Sequence, residues 1–417
     1  MGIPNRRPSG RDQRTVYALP RAPLRERFVR RIRPPCACMG VLPSRAAGFL
    51  RRPPSGTSAR GPRRPYCIVW PGRCPASRRA VRLDRAPRAP RRHVSGTSGH
   101  FVPRGFSATI SAMAGTDDRV ISDLARAGAA RVLPGEALAR RTTFRIGGPA
   151  ALWVEIETAE ALGRALEILA ARELPWRILG GGSNVLAPDA GYSGAVLRLA
   201  GGLAAHAVDG TRIAAGAGAS MHALAVAARD AGLSGLESAG TLPGTLGGAL
   251  AGNAGYAGRS IGELVESVTV LGPGGETTVL PRDAIAFGYR SSSLRGRGAI
   301  LGATLRLAPG DRDAIARAMA DFAAERRARQ PLSRPSAGCV FRNPPGEAAG
   351  GLIERAGAKG WVEGGAAVSG VHANFIVNEG GARAADVRRL IARVRERVRE
   401  RFGIELALEL EIMTGDE

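Results

Sequence analysis

An apolar stretch, Trp176 to Leu179, runs into Gly180-Gly181-Gly182-Ser183-Asn184, and the next regular element is a strand, Ala195 to Leu199, rather than a helix. This order is the strongest constraint on the fold. A Rossmann dinucleotide fold needs strand, glycine turn and helix in succession, because the pyrophosphate rests on the N-terminus of that helix. The glycines here must serve a different architecture. A second cluster, Gly240-Thr241-Leu242-Pro243-Gly244-Thr245-Leu246-Gly247-Gly248, follows some 60 residues later and ends in Gly252-Asn253-Ala254-Gly255. Two such clusters at strand or turn boundaries let backbone N–H groups converge on a diphosphate where any Cβ would obstruct it. From composition alone, the same clusters are also consistent with two tight turns.

Around the clusters, strands and helices alternate. The apolar run Ala151 to Ile156 predicts a strand, and Leu162, Leu166 and Leu169 predict the buried stripe of a helix from Ala159 to about Arg172. Ser220 is placed to cap a helix running through Leu224 and Ala228 to Gly232. Strands Val268 to Leu271 and Ile300 to Leu307 complete this region. A helix from Arg312 to Arg329, with Ile315, Met319 and Phe322 inward, connects it to the last third. There, a strand Asn374 to Val377 and a helix Ala385 to Phe402 stopped by Gly403 precede the run Ile404 to Ile412. That run alternates strictly. Ile404, Leu406, Leu408, Leu410 and Ile412 share one face, and Glu405, Glu409 and Glu411 share the other.

The total charge of +24 suggests a nucleic-acid binder, but its distribution does not. Residues 1–112 hold 25 Arg, 16 Pro and three acids (Asp12, Glu26, Asp84), so they account for +22 of the total. The remainder is nearly neutral. The basic segment lacks sustained periodicity and cannot bury enough apolar surface to offset chain entropy, so disorder is expected. Lys359 is the only lysine, and the wealth of Arg, Ala, Gly and Pro points to a GC-rich coding sequence. The segment therefore reads as a non-native extension from an upstream frame, with Met113 as the start. An RNA- or DNA-binding arm, an organelle transit peptide and a zinc site at Cys36, Cys38, Cys67 and Cys74 are the other readings, although the cysteines lack C-x-x-C pairs. Beyond it only Cys339 remains, which suits a reducing cytoplasm. Apolar runs fall short of the ~18 residues that span a bilayer.

Further motifs point in one direction. Thr142-Thr143-Phe144-Arg145-Ile146-Gly147-Gly148-Pro149-Ala150 precedes the first glycine cluster; Phe287-Gly288-Tyr289-Arg290-Ser291-Ser292-Ser293 follows the second. Pro335-Ser336-Ala337-Gly338-Cys339-Val340-Phe341-Arg342-Asn343-Pro344 and His372-Ala373-Asn374-Phe375-Ile376-Val377-Asn378 come later. In this order the segments resemble the signatures of the UDP-N-acetylenolpyruvoylglucosamine reductases, across roughly residues 135–412. The region after Arg290 is short, as in the compact branch of that family. The resemblance implies an α+β protein: a two-lobed FAD-binding fold of the vanillyl-alcohol-oxidase (PCMH) type with a smaller α+β C-terminal substrate domain. The corresponding division is 1–112 extension, 113–308 FAD-binding domain and 309–417 substrate domain. The implied cofactor is FAD, with NADPH as hydride-donating co-substrate and UDP-N-acetylglucosamine enolpyruvate as substrate, in a cytoplasmic enzyme of peptidoglycan precursor synthesis. Neither metal, membrane nor nucleic acid is required, and the basic tail is expected to do no more than bind anions nonspecifically.

The resemblance also implies residue roles. Arg145, Gly180, Gly181, Gly182, Ser183, Asn184, Gly244, Thr245, Gly247, Gly248 and Asn253 fall to FAD binding. Arg290, Cys339 and Glu411 form the catalytic set. Arg290 is permanently charged and suits a developing enolate, although an arginine alone reads as an ordinary ion-pairing residue. Cys339 stands at the proton donor's position, commonly serine in the family; a lone cysteine otherwise reads as a small buried hydrophobe. Glu411 is the second acid, or else part of a solvated strand face. Where the family leads to expect an arginine after that glutamate, this chain has Met413. Tyr289, His372 and Asn374 read equally as substrate contacts or as structural residues and stay outside the catalytic set. The rival readings are a flavin oxidase or dehydrogenase acting on an alcohol, and a nucleic-acid-binding protein in which the tail matters.

Overall fold

The computed structural model describes residues 118–414. The basic segment, its four cysteines and Met113 lie outside those residues, as do the readings that concern them. A first lobe is built from α1 (Asp118–Arg126), β1 (Arg131–Ala137), β2 (Pro149–Ile156), α2 (Ala159–Ala171), β3 (Trp176–Ile178), β4 (Val185–Leu186) and β5 (Tyr192–Leu199). Its sheet has the order β1-β2-β5-β3, with β2 and β3 both parallel to β5. Parallel strands need a crossover, and α2 supplies the one that carries the chain from β2 to β3 on the far side of β5. Leu162, Ala165 and Leu169 of α2 are fully buried against Leu152, Val154 and Leu197 of the sheet. Thr158 caps α2 by accepting the N–H of Ala161.

The second lobe comprises β6 (His206–Asp209), β7 (Arg212–Gly216), α3 (Met221–Asp230), β8 (Leu233–Ser234), α4 (Leu246–Gly252), β9 (Gly255–Tyr256), β10 (Arg259–Ser260), β11 (Val265–Leu271), β12 (Thr277–Pro281), β13 (Phe287–Gly288), β14 (Ser291–Ser292), β15 (Ala299–Arg306) and β16 (Ala308–Pro309). Its main sheet runs β12-β11-β15-β7-β6, antiparallel throughout. The helix α5 (Arg312–Arg329) follows, and its Met319 packs into the same core.

The last part contains β17 (Ser336–Cys339), α6 (Ala349–Arg355), β18 (Val362–Glu363), β19 (Ala366–Val368), β20 (Phe375–Asn378), α7 (Ala384–Phe402) and β21 (Glu411–Ile412). Four strands form an antiparallel sheet, β17-β20-β19-β18. Val387, Leu390, Val394 and Val398 of α7 are buried in the adjoining core. Gly403, at φ +68, ends the helix in the left-handed conformation that glycine adopts without strain. Phe144, Ile146 and Leu186 of the first lobe belong to this same core, so the C-terminal part is packed onto it.

One element differs from the sequence reading. The alternating run Ile404 to Ile412 forms a strand only at Glu411–Ile412, parallel to β4 in the first lobe. Leu408 bridges to Phe341, and the N–H groups of Glu409 and Leu410 both donate to the Val340 carbonyl, at 2.8 and 3.2 Å. Two donors on one acceptor shift the register as a bulge does, so Glu409 and Glu411 no longer share a face. The chain thus leaves the C-terminal core after Leu410 and enters the first lobe, where Met413 is buried with Trp153, Leu179 and Tyr192.

Candidate active site

The two glycine clusters meet. A Cβ on Gly180 would lie 2.4 Å from Thr245 Oγ1, and one on Gly181 would lie 2.7 Å from Gly244 Cα. Ser183 Oγ donates to the Pro243 carbonyl at 3.0 Å, closing the contact between the two loops. Gly182 has φ +59 and sits over the Arg141 carbonyl, a place that excludes a side chain twice over. The N–H groups of Gly180 through Asn184, and of Gly244 and Thr245, donate to no backbone carbonyl among the described residues. Beside them opens a cavity of about 250 Å³ lined by Trp176, Leu179, Gly180, Thr245, Gly247 and Gly248, among others. Free backbone donors next to an apolar-walled slot suit a diphosphate joined to flat rings.

Beyond the glycines, three elements bring charged groups together. Gly288 pairs with Ser291 in the hairpin of β13 and β14, leaving Tyr289 and Arg290 as its two-residue turn. Arg290 adopts φ +53, a conformation that costs a non-glycine residue roughly 1–2 kcal/mol. Asn253 holds the hairpin: its Nδ2 donates to the Gly288 carbonyl at 2.9 Å and its Oδ1 accepts from Gly262 N at 3.0 Å. Arg290 Nη1 donates to the Gly255 carbonyl at 3.0 Å. Its Nε lies 2.7 Å from Glu409 Oε1, an ion pair in which the N–H does not point along the contact. Asn184 Nδ2 in turn donates to the Glu409 carbonyl at 2.9 Å.

Cys339 closes the cluster from the end of β17. Asn374, fully enclosed, fixes the residues that follow: its Nδ2 and Oδ1 bond the Phe341 carbonyl and N–H at 2.8 and 2.9 Å, as a neighbouring strand would. Burial pushes the Cys339 thiol up to about 12; Glu409 adds to the rise, and the cations Arg290 and Arg326 oppose it. The thiol therefore keeps its proton at neutral pH. Burial likewise raises the pKa of Glu409, against the pull of Arg290 and then Arg342.

The half-exposed carboxylate of Glu411 faces Arg177 at 3.3 Å and Arg295, which lines the cavity, at 3.8 Å, whereas Glu409 is the glutamate that pairs with Arg290. The shared Val340 carbonyl is the physical reason, since it turns the two glutamates apart. Met413 serves the first-lobe core and orients neither. Arg145 is exposed, at φ +55, and its side chain pairs with nothing among the described residues. Tyr289 is exposed, and its hydroxyl accepts from Asn343 N at 3.3 Å. His372 Nδ1 accepts from Asn374 N at 3.2 Å, and burial lowers its pKa, so it is neutral and structural in that role. The sequence did not single out Glu409, which alternation could not separate from Glu411.

The glycine cradle fits FAD, and residues 150–280 match the FAD binding domain family. In class, the protein is an FAD-dependent oxidoreductase with the two-lobed fold of the vanillyl-alcohol-oxidase type and a smaller C-terminal domain. It is 46% identical over 283 residues to UDP-N-acetylenolpyruvoylglucosamine reductase 2 of Symbiobacterium thermophilum, covering 68% of this chain and 92% of that relative. The corresponding reductase of Anoxybacillus flavithermus is 40% identical over 298 residues, 71% of this chain and 99% of its own length. The chain belongs to the UDP-N-acetylenolpyruvoylglucosamine reductase family. Residues 330–413 match that family's C-terminal domain. The crystal structure of the Thermus caldophilus reductase superposes with a TM-score of 0.60 at 39% identity, over 68% of this chain and 99% of its own.

Proposed function

We propose that Cys339, Arg290 and Glu409 handle the proton and charge in this FAD- and NADPH-dependent reductase as it converts UDP-N-acetylglucosamine enolpyruvate to UDP-N-acetylmuramate for peptidoglycan synthesis. The carrying observation is the 2.7 Å Arg290–Glu409 pair beside a buried thiol that stays protonated. When bound, FAD supplies two-electron transfer from NADPH to the methylene carbon of the enolpyruvyl group. Negative charge then develops on the neighbouring carbon and its carboxylate, and Arg290 opposes it from a fixed position. Cys339 delivers its proton to that carbon: the S–H bond breaks as the C–H bond forms, and a thiolate remains. Glu409, whose burial favours the protonated carboxyl, is the group to return a proton to the sulfur.

For the cofactor, the N–H groups of Gly180, Gly181, Gly182, Ser183, Asn184, Gly244 and Thr245 would hold the diphosphate, with Gly247 and Gly248 lining the slot. Arg145 offers an uncommitted charge to a phosphate. Asn253 acts one step removed, by holding the hairpin of Arg290. The FAD-binding domain would extend to residue 308 and the substrate domain from 309, with α5 as the link between them. Cys339 is a free thiol, and no helix of the described residues is long and apolar enough to cross a membrane. Together with the substrate, this supports a cytoplasmic enzyme.

The test follows flavin absorbance anaerobically. Bleaching by NADPH and recovery on adding the sugar nucleotide are expected for the wild type. Cys339→Ala should bleach normally yet recover ~10²–10⁴-fold more slowly, while Cys339→Ser retains most of the recovery. Equal loss of both half-reactions in Cys339→Ala would remove the proton-donor assignment, and reoxidation by oxygen alone would favour an oxidase.

A further inference from the structure

Asn374 is 3% exposed and lies just before β20, where the pairing of that strand with β17 runs out. Cys339 pairs with Phe375, and the Asn374 carbonyl accepts from Val340 N at 2.8 Å. Before that point the chain turns: Phe375 N donates to the His372 carbonyl at 3.0 Å, and Asn374 N to His372 Nδ1 at 3.2 Å. The main chain thus leaves this edge before it can meet Phe341. The Asn374 side chain takes its place, accepting from Phe341 N at 2.9 Å and donating to the Phe341 carbonyl at 2.8 Å. An amide carries acceptor and donor side by side without ionising, as a peptide group does. The opposite edge of the same segment holds the tail: the Val340 carbonyl accepts from Glu409 N and Leu410 N, and Arg342 N donates to the Ala407 carbonyl at 2.9 Å.

We propose that Asn374 is a positioning residue for proton transfer: through residues 340–342 it sets Cys339 against Glu409. The inference rests on the roles assigned above to those two groups. Cys339 directly precedes Val340, and Glu409 hangs from the Val340 carbonyl, so the proton donor and the group that returns its proton are attached to one residue from two sides. What fixes that residue fixes their spacing. Asn374 grips it at two points, with its carbonyl on the Val340 N–H and its side chain on both peptide groups of the next residue. Loss of the amide would leave the Phe341 N–H and carbonyl buried without those partners, and the segment would shift to find others. A displacement of about 1 Å is enough to slow a reaction that depends on such alignment about 100-fold. The second N–H of the same amide bears on the sulfur, where it opposes the rise that burial and Glu409 impose on the thiol.

The test follows the anaerobic half-reactions of the FAD-loaded enzyme. Asn374→Ala should slow recovery by the sugar nucleotide roughly 10–100-fold and leave NADPH bleaching within about twofold of wild type. Because Asn374 acts through Cys339, adding Asn374→Ala to Cys339→Ala should slow recovery less than about threefold further. The conservative variant gives a second reading. Protonated, the carboxyl of Asn374→Asp offers Phe341 the same acceptor and donor; ionised, it sets a charge against the Phe341 carbonyl. Its recovery rate is taken as a ratio to wild type at each pH, so that the titrations of Cys339, Glu409 and His372 common to both divide out. That ratio should approach one at the acid end and fall as pH rises. Equal slowing of both half-reactions by Asn374→Ala would make the residue merely structural, and either an unchanged recovery rate or a full further loss in the double variant would overturn the proposal. Should Asn374→Ala fail to retain FAD, Asn374→Asp decides alone: a ratio that falls with pH supports the proposal, and one that does not move overturns it. Recovery of Cys339→Ala at the wild-type rate would instead overturn the reaction assignment beneath it.

Discussion

Glu409 and Glu411 lie two positions apart, yet their surroundings give them different chemistry. Glu409 is largely enclosed with Arg290 and Cys339, whereas Glu411 shares a half-exposed surface with Arg177 and Arg295. Glu409→Gln should therefore slow recovery of the bleached flavin by the sugar nucleotide about 100-fold while NADPH bleaching is unchanged. Glu411→Gln should leave both steps within about twofold, as expected of a screened surface pair. Because burial raises the pKa of Glu409, its protonated carboxyl persists above the ordinary carboxylate range and is lost as pH climbs. The recovery rate should fall along that alkaline limb in the wild type, and the limb should be absent from Glu409→Gln. Stopped-flow absorbance across pH checks both points, and a loss in Glu411→Gln equal to that in Glu409→Gln would reverse the assignment. Cys339 and Arg290 could be put forward from sequence because each sits inside an ordered motif. Alternation supplies only parity, and the doubled bond on the Val340 carbonyl that separates the two glutamates is a tertiary feature.

At the level of elements, helices were the most readable. The bounds Arg312 to Arg329 and the run to Phe402 follow from apolar residues at helical spacing and from the glycine stop. The last strand was less so, because one alternating run serves two cores and two partner edges in succession. Only part of the capping of α7 is local, where Asp386 accepts from Arg383 N at 2.9 Å. Its first N–H groups, from Ala384 and Ala385, are taken by Asp189 of the first lobe at 2.7 and 3.0 Å. That carboxylate is some two hundred positions away and has no local signature. Asp189→Ala should cost about 0.5–2 kcal/mol of stability, the usual worth of a helix cap, with FAD retained. Urea unfolding followed by tryptophan fluorescence and flavin release would register it. An unchanged midpoint would show that water replaces the carboxylate without loss.

For the whole molecule, every core and every candidate site residue among the described residues is drawn from the stretch between Val120 and Met413. The parts are also mutually pinned within it: Thr143 Oγ1 donates to the Ser336 carbonyl at 2.7 Å, Asn378 Nδ2 to that of Phe144 at 3.1 Å, and Asn184 Nδ2 to that of Glu409. The segment before Met113 carries most of the charge. A chain beginning at Met113 is therefore expected to bind FAD stoichiometrically and to turn over like the full-length protein. It should differ in one property. With the arginine-rich segment goes +22 of the +24 net charge, so salt-dependent retention on a polyanion column should largely vanish, because such binding scales with the number of cations engaged. Flavin content and the anaerobic half-reactions measure the first expectation, and elution salt measures the second. If the shortened chain fails to hold FAD, the basic segment must complete a part of the fold that the glycine cradle and the packed cores do not supply on their own.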